Sequence, residues 1–205
     1  MNKGLIIYGA GDHGKVVADT AMLLKKWQKV LFVDDNAGVE AILGFPVVHK
    51  LSDIPDSKSW DIVVAIGNNS IRLSLSQSLL KNGYHLVSIV HPSAIVSRYA
   101  SIGSGTVIFA NAVLNAGVSM GLSCIVNTAA TIDHDCQIAD GVHISPGANL
   151  AGRVTMGQCC WIGIGAAVIQ TITIGEHNRV GAGAVVINDL ADNLTVAGVP
   201  AMVIT

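Results

Sequence analysis

The chain has 205 residues, a length that suits one medium domain or two small ones. Its 12 Lys and Arg stand against 14 Asp and Glu, so the formal net charge of −2 excludes a general affinity for nucleic acid or anionic membranes. Although 51% of the residues are hydrophobic, they are periodic and interrupted by Gly and Asn, which excludes a membrane-spanning helix, and we expect a soluble cytoplasmic protein with reduced cysteines.

The first predicted elements are a buried strand, Leu5 to Tyr8, and a helix from about Lys15 to Leu24, joined by the sequence GAGDHG. This GxGxxG spacing is typical of loops whose glycines let a phosphate approach the N-terminus of a helix. Two more strands are predicted over residues 30–33 and 61–66. Because the carboxyl ends of parallel strands share one edge of a sheet, the loops after all three strands should line one ligand crevice.

A dinucleotide such as NAD is not the expected ligand of this crevice. Only about 88 residues are available, enough for one mononucleotide-binding half, whereas a dinucleotide requires two. Asp12, in the middle of the motif, would also repel a pyrophosphate. A strand, turn and helix without any ligand is the alternative at this point.

The composition of the chain changes near residue 88. Nine of the 12 Lys and Arg precede this point, and only Arg98, Arg153 and Arg179 follow it. We therefore predict an N-terminal domain of residues 1–88 and a C-terminal domain of residues 89–205.

The C-terminal part carries an aliphatic residue at every sixth position, seventeen times without a slip in register. Neither an α-helix nor an alternating strand has this period, whereas the hexapeptide repeats of a β-helix do. The aliphatic positions are Val90, Val96, Ile102, Ile108, Leu114, Met120, Val126, Ile132, Ile138, Ile144, Leu150, Met156, Ile162, Val168, Ile174, Val180 and Val186.

Another small or apolar side chain stands four residues after most of these positions, as expected for a narrow prism whose coils stack on one another. Cys124, Cys136 and Cys160 occupy this inward position, so we interpret them as structural. No two cysteines have the CxxC spacing, and we expect no metal site.

This run of repeats resembles the hexapeptide-repeat acyltransferases. The resemblance implies a left-handed parallel β-helix with three hexapeptides per coil, a homotrimer, and acyl-CoA bound in the groove between neighbouring prisms. The final VAGVPAMVI resembles the closing AGxPAK segment of that family, but Met202 stands where Lys or Arg is usual. The implied fold class is an α/β Rossmann-like N-terminal domain followed by an all-β left-handed parallel β-helix.

The whole chain is similar to a narrower group, the bacterial nucleotide-amino-sugar N-acetyltransferases of the bacillosamine type and the related sialic acid O-acetyltransferases. The segments that carry the resemblance are GAGDHGKVVAD, FVDDN, AIGNNSIR, HPSAIVS and IDHDCQIADGVHISPGANLAG. It implies that the N-terminal domain binds the UDP of a sugar nucleotide rather than NAD. The implied ligands are Gly11, Asp12 and His13 against the sugar nucleotide, Asp34, Asp35 and Asn36 at the uridine, and Gly67 nearby.

His134 is the candidate general base. It is the third residue of the hexapeptide that begins at Ile132, so it should lie at an outer turn, between Asp133 and Asp135 in a region with few charges. A solvated surface histidine is the ordinary alternative. The match to the family's DH(D/E)C motif implies instead that His134 removes a proton and that Asp135 fixes the tautomer that accepts it.

His143 follows His134 by nine residues, half of an 18-residue coil, and should therefore lie on a different part of the prism. A site that uses both would combine His134 of one subunit with His143 of its neighbour, although His143 could also be an ordinary surface residue. The resemblance implies that acetyl-CoA, the co-substrate, contacts His143, Gly163, Ile164, Gly181 and Ala182.

These expectations converge on an acetyl-CoA-dependent N-acetyltransferase for the 4-amino group of a nucleotide-linked 4-amino-4,6-dideoxy sugar, with UDP as the expected nucleotide, in bacterial glycan biosynthesis. An amine attacks directly with the help of a base, so no acyl-enzyme is required. A GDP-linked amino sugar and O-acetylation of sialic acid are alternatives within the class. A non-catalytic nucleotide-sugar binder and an NAD-dependent oxidoreductase are alternatives from other classes, the latter disfavoured by the short first domain.

Overall fold

The computed structural model describes residues 4–35 and 38–204, and its N-terminal part is a six-stranded sheet with two helices. The elements are β1 (Gly4–Tyr8), α1 (Asp12–Leu23), β2 (Lys29–Val33), β3 (Ala41–Ile42), β4 (Phe45–Val48), short 3-10 helices at Leu51–Asp53 and Ser57–Ser59, β5 (Asp61–Val64), α2 (Asn69–Lys81) and β6 (His85–Leu86). The strand order is β3-β4-β2-β1-β5-β6, and only the β3–β4 pair is antiparallel within the described residues. The three predicted strands are therefore neighbours, with β1 between β2 and β5.

Helix α1 begins at Asp12, three residues earlier than the Lys15 expected from the sequence. The early start is possible because Gly14 lies directly against the carbonyl oxygen of Gly9, where a side chain would not fit. Gly11 precedes the helix in an extended conformation as its N-cap. Asp12 and His13 consequently belong to the first helical turn and not to the loop.

The C-terminal part is a prism of three parallel sheets, and each full coil contributes one strand to each sheet. The first sheet contains β7 (Ile89–Val90), β10 (Val107–Ile108), β13 (Ile125–Val126), β16 (His143–Ile144), β19 (Trp161–Ile162), β22 (Arg179–Val180), β24 (Thr195–Ala197) and the antiparallel β25 (Met202–Val203). The second contains β8 (Ile95–Val96), β11 (Val113–Leu114), β14 (Thr131–Ile132), β17 (Asn149–Leu150), β20 (Ala167–Val168) and β23 (Val185–Val186). The third contains β9 (Ser101–Ile102), β12 (Ser119–Met120), β15 (Gln137–Ile138), β18 (Thr155–Met156) and β21 (Thr173–Ile174).

The register of these strands confirms the 18-residue coil. Val107 pairs with Ile125, which pairs in turn with His143, each 18 residues after the last. One residue of each strand points into the prism, and the small residues between strands fill the corners of the same core. The six-residue spacing of the aliphatic side chains is therefore the spacing from one sheet to the next.

The three inward cysteines are part of this core. Cys124, Cys136 and Cys160 are fully buried, and their thiols point at backbone carbonyl oxygens 2.9 to 3.2 Å away on the next coil. Burial raises the pKa of the Cys124 and Cys160 thiols to about 12, so these thiols stay protonated at neutral pH. This environment agrees with the structural role expected from the sequence.

Asn178 occupies an inward position at which the other hexapeptides carry small or apolar residues. Its hydrogen bonds explain why a polar residue is accommodated there. Its side-chain amide donates to the carbonyl oxygens of Gly175 at 2.9 Å and Ala191 at 2.8 Å, and its Oδ1 accepts the backbone N–H of Leu194 at 3.0 Å. The buried amide is therefore hydrogen-bonded at both its nitrogen and its oxygen, as buried polar groups in folded proteins usually are. Asn178 therefore ties the last regular coil to the closing segment.

The N-terminal sheet and the β-helix meet in a shared apolar cluster. Val17 and Ala21 of α1 belong to the same buried group as Ile89, Phe109 and Ile125 on the first sheet of the prism. Strand β6 ends two residues before the boundary predicted after residue 88, and β7 begins directly after it. The two parts thus pack through continuous side-chain contacts.

Arg72, on α2, connects the two parts by hydrogen bonds. The side chain is 1% exposed, and burial lowers the pKa of its guanidinium to about 10, so it remains charged at neutral pH. The guanidinium donates to the carbonyl oxygens of Ser123 (2.8 Å), Gly141 (2.8 Å), Ile66 (3.0 Å) and Gly67 (3.2 Å) and to the side chain of Asn69 (2.9 Å). One buried cation therefore fixes the loop after β5 against two turns of the β-helix.

Replacing Arg72 with Ala should lower the free energy of unfolding by about 3 kcal/mol, because several buried carbonyl oxygens would lose a charged donor. Urea unfolding followed by circular dichroism measures this change. Gln77→Ala, on the exposed side of the same helix, is the control and should change stability by less than about 0.5 kcal/mol. Equal effects of the two substitutions would contradict the connecting role of Arg72.

Candidate active site

The loops after β1, β2 and β5 are neighbours at one edge of the N-terminal sheet, because the three strands are parallel and adjacent. Gly11 and Gly67 are exposed there, and a Cβ atom added to either would meet no other atom within 4 Å. The carboxylate of Asp34 accepts the backbone N–H of Ala10 at 2.8 Å and so holds the first loop in place. Asp35 is exposed beside it, whereas Asn36 lies outside the described residues.

The other two residues expected at the sugar nucleotide, Asp12 and His13, point in different directions. The Asp12 side chain is almost fully exposed and pairs with Lys15 at 3.0 Å. The His13 ring packs edge-on against Phe109 of the β-helix, with ring centroids 5.6 Å apart. Burial and the nearby Arg72 lower the pKa of His13 to about 4. At physiological pH His13 is therefore an uncharged side chain packed between the two parts of the chain.

His134 lies at the outer turn between β14 and β15, with half of its side chain exposed. Its Nδ1 is 2.9 Å from Oδ2 of Asp135. A hydrogen bond from Nδ1–H to this carboxylate leaves Nε2 as the proton acceptor, which is the tautomer a general base needs. Asp133 holds the turn, since its Oδ1 accepts the backbone N–H of His134 and the side-chain amide of Asn115, both at 2.8 Å.

Gly152 lies one coil after His134, and the absence of a side chain at Gly152 makes room for the His134 imidazole. A Cβ atom at this position would lie 2.5 Å from His134 Nε2 and 2.7 Å from its Cε1. The ring therefore rests on bare backbone, and any side chain at residue 152 would displace it. The sequence reasoning did not single out Gly152, although its distance of 18 residues from His134 places the two in equivalent positions of successive coils.

His143 lies on β16 in the first sheet, half-buried and facing outward. Its ring stacks on the indole of Trp161, with centroids 5.9 Å apart and planes within 4° of parallel. Burial, together with the positive charge of Arg72 and the nearby His13, lowers the pKa of His143 to about 3. His143 is therefore an uncharged imidazole, hydrogen-bonded through Nε2 to the amide of Asn127 at 3.2 Å.

A mostly apolar groove of about 470 Å³, which we call the donor groove, opens beside His143 on the first sheet. It brings together all five residues expected at acetyl-CoA, namely His143, Gly163, Ile164, Gly181 and Ala182. A second cavity of about 470 Å³ lies between the loop at residues 67–70 and the β-helix. His143, Trp161 and Arg179 line both cavities and form the ridge between them.

Trp161 and Arg179 were missed as site residues from the sequence. They stand 18 and 36 residues after His143, so the repeat itself placed them on the same face one and two coils later. The sequence reasoning followed family motifs and did not follow this register.

A single chain keeps His134 and His143 apart. His143 is on the first sheet, whereas His134 is at the corner between the second and third sheets, which is the corner opposite the first sheet in a three-sided prism. The described residues of one subunit therefore supply a candidate base and a candidate donor groove on opposite sides. Within residues 4–35 and 38–204, no helix has the length and apolar character needed to cross a membrane.

Comparison with known proteins agrees with this geometry. The family described as the PglD N-terminal domain matches residues 4–79. GDP-perosamine N-acetyltransferase of Escherichia coli O157:H7 is 32% identical over 190 residues, which cover 86% of this chain and 82% of that protein. UDP-N-acetylbacillosamine N-acetyltransferase of Bacillus subtilis (strain 168) is 40% identical over 115 residues, which cover 53% of this chain and 52% of that protein.

The acetyltransferase domain of PglB from Neisseria gonorrhoeae FA1090, solved in complex with acetyl coenzyme A, is similar over the full length of both chains. The sequence identity is 42% and the TM-score is 0.95, with 100% of each chain covered. The expected fold class, a Rossmann-like α/β domain followed by a left-handed parallel β-helix, is confirmed.

The low pKa of His143 predicts a specific loss of stability in acid. The folded protein keeps this residue neutral down to a pKa of about 3, whereas the unfolded chain protonates it near 6.5. Because the unfolded state then binds more protons, the contribution of His143 is present above pH 6.5 and is lost as the pH falls toward 3. The variant His143→Gln should flatten this decline in urea-unfolding measurements at pH 7 and about pH 5.

The exposed His49 provides the matched control for this measurement. The variant His49→Gln should leave the pH dependence of the unfolding free energy as in the wild-type protein. An unchanged decline in His143→Gln would mean that this imidazole is not held neutral by burial.

Proposed function

Since the chain belongs to the bacterial hexapeptide-repeat nucleotide-amino-sugar N-acetyltransferases and uses acetyl-CoA as its co-substrate, we propose that it acetylates the 4-amino group of a UDP-linked 4-amino-4,6-dideoxy sugar. The observation that carries the proposal is the His134–Asp135 pair, half-exposed at a turn, in which a hydrogen bond from Nδ1–H leaves Nε2 as the proton acceptor. Acetyl-CoA is a cytoplasmic metabolite, and we place the reaction in the cytoplasm as a step of bacterial glycan synthesis.

In the proposed reaction the amine nitrogen of the sugar attacks the thioester carbonyl carbon of acetyl-CoA. A carbon–nitrogen bond forms, the carbon–sulfur bond breaks, and CoA leaves as a thiolate. The proton that the nitrogen loses passes to Nε2 of His134, and the imidazolium that forms is stabilised by Asp135, which is 2.9 Å from Nδ1. The proton then passes to the thiolate, which regenerates the neutral base.

The donor is proposed to lie in the donor groove, with its pantetheine arm along Ile164 and Ala182. Gly163 and Gly181 also line this groove, and a Cβ atom at either position would press against the next coil, so these glycines allow the coils below the arm to stack closely. Ile164 is 56% exposed and belongs to a mostly apolar groove, which fits an apolar ligand or partner that covers it. The neutral His143 at the end of the groove suits a contact with an uncharged thioester.

The two halves of the site are proposed to meet in a homotrimer. His134 lies at the corner opposite the donor groove of its own chain, so an adjacent prism is needed to bring a second chain's groove to it. Threefold cyclic assembly repeats such a contact three times with one kind of interface. Each active site would then consist of His134 from one subunit and His143 from its neighbour.

The sugar nucleotide is proposed to bind at the edge of the N-terminal sheet, against Gly11, His13 and Gly67, with its diphosphate away from the exposed carboxylate of Asp12. Asp35 and Asn36 would contact the base, while Asp34 would act mainly through the loop that it holds. A GDP-linked amino sugar is the second candidate, because the relative that matches 86% of the chain acts on GDP-perosamine. The loop of FVDDN follows β2 in either case.

Replacing His134 with Ala should reduce kcat/KM by about 10²- to 10⁴-fold, the usual contribution of a general base. Replacing Gly152 with Ala should reduce kcat by about 10- to 100-fold, because the methyl group displaces the ring without removing it. Steady-state kinetics measure both effects, and calorimetric binding of acetyl-CoA should be unchanged in both variants. The control is Thr155→Ala, an exposed residue on the next strand.

A near-wild-type rate in His134→Ala would overturn the assignment of the base. Wild-type kinetics in Gly152→Ala, with His134→Ala inactive, would show that the position of the ring observed here is not the one used in catalysis.

The substrate class is tested by free-thiol release from acetyl-CoA with a panel of acceptors. We expect the highest kcat/KM with a UDP-linked 4-amino-4,6-dideoxy sugar, compared with the GDP-linked sugar and free sialic acid. A preference for the GDP-linked sugar would transfer the proposal to that nucleotide, and a preference for sialic acid would replace N-acetylation by O-acetylation. No turnover with any acceptor, in a folded trimer, would contradict the proposed reaction.

A further inference from the structure

Arg179 is a cation that the proposed reaction does not use. It lies on β22 in the first sheet, with its side chain exposed. Within residues 4–35 and 38–204, no carboxylate forms an ion pair with it, and it is the only Lys or Arg on any strand of that sheet in the β-helix. In the sequence, no further Lys or Arg follows it. An exposed guanidinium without a carboxylate partner is available to bind an anionic ligand.

The position of Arg179 is fixed by the side chains stacked below it. Its guanidinium carbon lies 5.9 Å from the centre of the Trp161 ring, within the range of a cation–π contact. Trp161 is itself held by the stack with His143 and by a 2.7 Å hydrogen bond from Nε1 to Ser145 Oγ. The three side chains His143, Trp161 and Arg179 therefore form a ladder with one member per coil.

The cation–π contact with Trp161 uses no N–H hydrogen bond, and within residues 4–35 and 38–204 no carboxylate pairs with the guanidinium, so its N–H donors are available to a ligand. These five donors lie in one plane, a geometry that suits the oxygen atoms of a phosphate group. Arg179 is thus presented as an anion-binding group at the wall of the donor groove.

Among the described residues that line the donor groove, Arg179 is the only charged one. Its remaining lining is apolar or neutral, and the low pKa of His143 keeps that imidazole uncharged. Beyond β22 the sheet continues with Thr195, which pairs with Arg179, and then with Met202, which pairs with Ala197. Neither Thr195 nor Met202 can neutralise an anion.

Acetyl-CoA carries its thioester at one end and three phosphate groups at the other. Arg179 is two strands from His143, a distance of about 10 Å across the sheet, on the side away from the proposed transfer site. The second cavity has the free backbone N–H groups at the start of α2 available for an anionic acceptor. The donor groove has only Arg179.

We propose that Arg179, held against Trp161, binds a phosphate group of acetyl-CoA and so fixes the phosphate end of the donor. This inference rests on the proposed placement of acetyl-CoA in the donor groove. The proposal assigns a binding role to Arg179 and Trp161, which lie outside the family motifs. It also supplies a cation on the sheet whose closing strand carries Met202 in place of the usual Lys or Arg.

The experiment compares steady-state kinetics of the full-length wild-type enzyme and Arg179→Gln. We expect KM for acetyl-CoA to rise about tenfold, since a charge-assisted hydrogen bond to an exposed phosphate is lost, while kcat and KM for the sugar nucleotide stay unchanged. Arg179→Lys should recover part of the affinity because it keeps the charge. Arg98→Gln is the matched control, since Arg98 also lies over an aromatic ring, 5.2 Å from the centre of Tyr99, but outside the groove.

A rise in KM for the sugar nucleotide instead of acetyl-CoA would show that Arg179 serves the acceptor, and unchanged kinetics would also overturn the proposal. Repeating the comparison with acetyl-3′-dephospho-CoA identifies the phosphate. If the Arg179→Gln effect disappears with this donor, the contact is to the 3′-phosphate. If the effect persists, the contact is to the pyrophosphate. Both results support a phosphate contact.

Ile164→Asp separates this inference from the placement of the donor. A carboxylate at residue 164 should weaken acetyl-CoA binding strongly if the donor lies in the groove. If Ile164→Asp weakens binding but Arg179→Gln does not, only the phosphate contact fails. If neither variant affects acetyl-CoA, the proposed location of the donor is wrong.

Discussion

The architecture depends on one constraint, the packing of modest side chains inside a three-sided prism. An 18-residue coil returns each outward position directly above its predecessor, as Val107, Ile125 and His143 show. Functional groups can therefore be built as columns: His134 rests on Gly152 one coil later, and Trp161 stacks on His143. A core of larger side chains would widen the coils and disturb these columns.

The N-terminal domain is joined to this prism by a polar connection. The Arg72 guanidinium bonds both the loop after β5 and two turns of the β-helix, and Asn69 donates to the carbonyl oxygens of Cys159 and Cys160. The loop that is proposed to contact the sugar nucleotide and the coil that carries His143 are thus held in a fixed relation. Buried, fully bonded polar groups of this kind favour one arrangement over near alternatives.

The sequence was sufficient for the coils, since a six-residue hydrophobic period is typical of a hexapeptide β-helix and of neither an α-helix nor an alternating strand, and for the outer position of His134. The start of α1 was misjudged because the sequence alone did not show that Gly14 packs against the carbonyl oxygen of Gly9, which lets the helix begin within the glycine-rich segment. Trp161 and Arg179 were missed although the 18-residue register places them above His143; their contacts with each other and with His143 became visible only in the coordinates. The identity of the nucleotide base stays a prediction, because residue types alone do not specify the contacts expected of Asp35 and Asn36, and Asn36 lies outside the described residues.

The central claim is that one active site needs two subunits, and mixing two inactive variants tests it directly. Chains carrying His134→Ala are combined with chains carrying His143→Ala under conditions that exchange subunits, and acetyl transfer is measured. A shared site predicts activity of about a quarter of the wild-type value at equal mixing, because one interface in four then joins an intact His134 to an intact His143. If exchange is confirmed and activity stays at the level of the separate variants, both groups act within a single chain and the account is wrong.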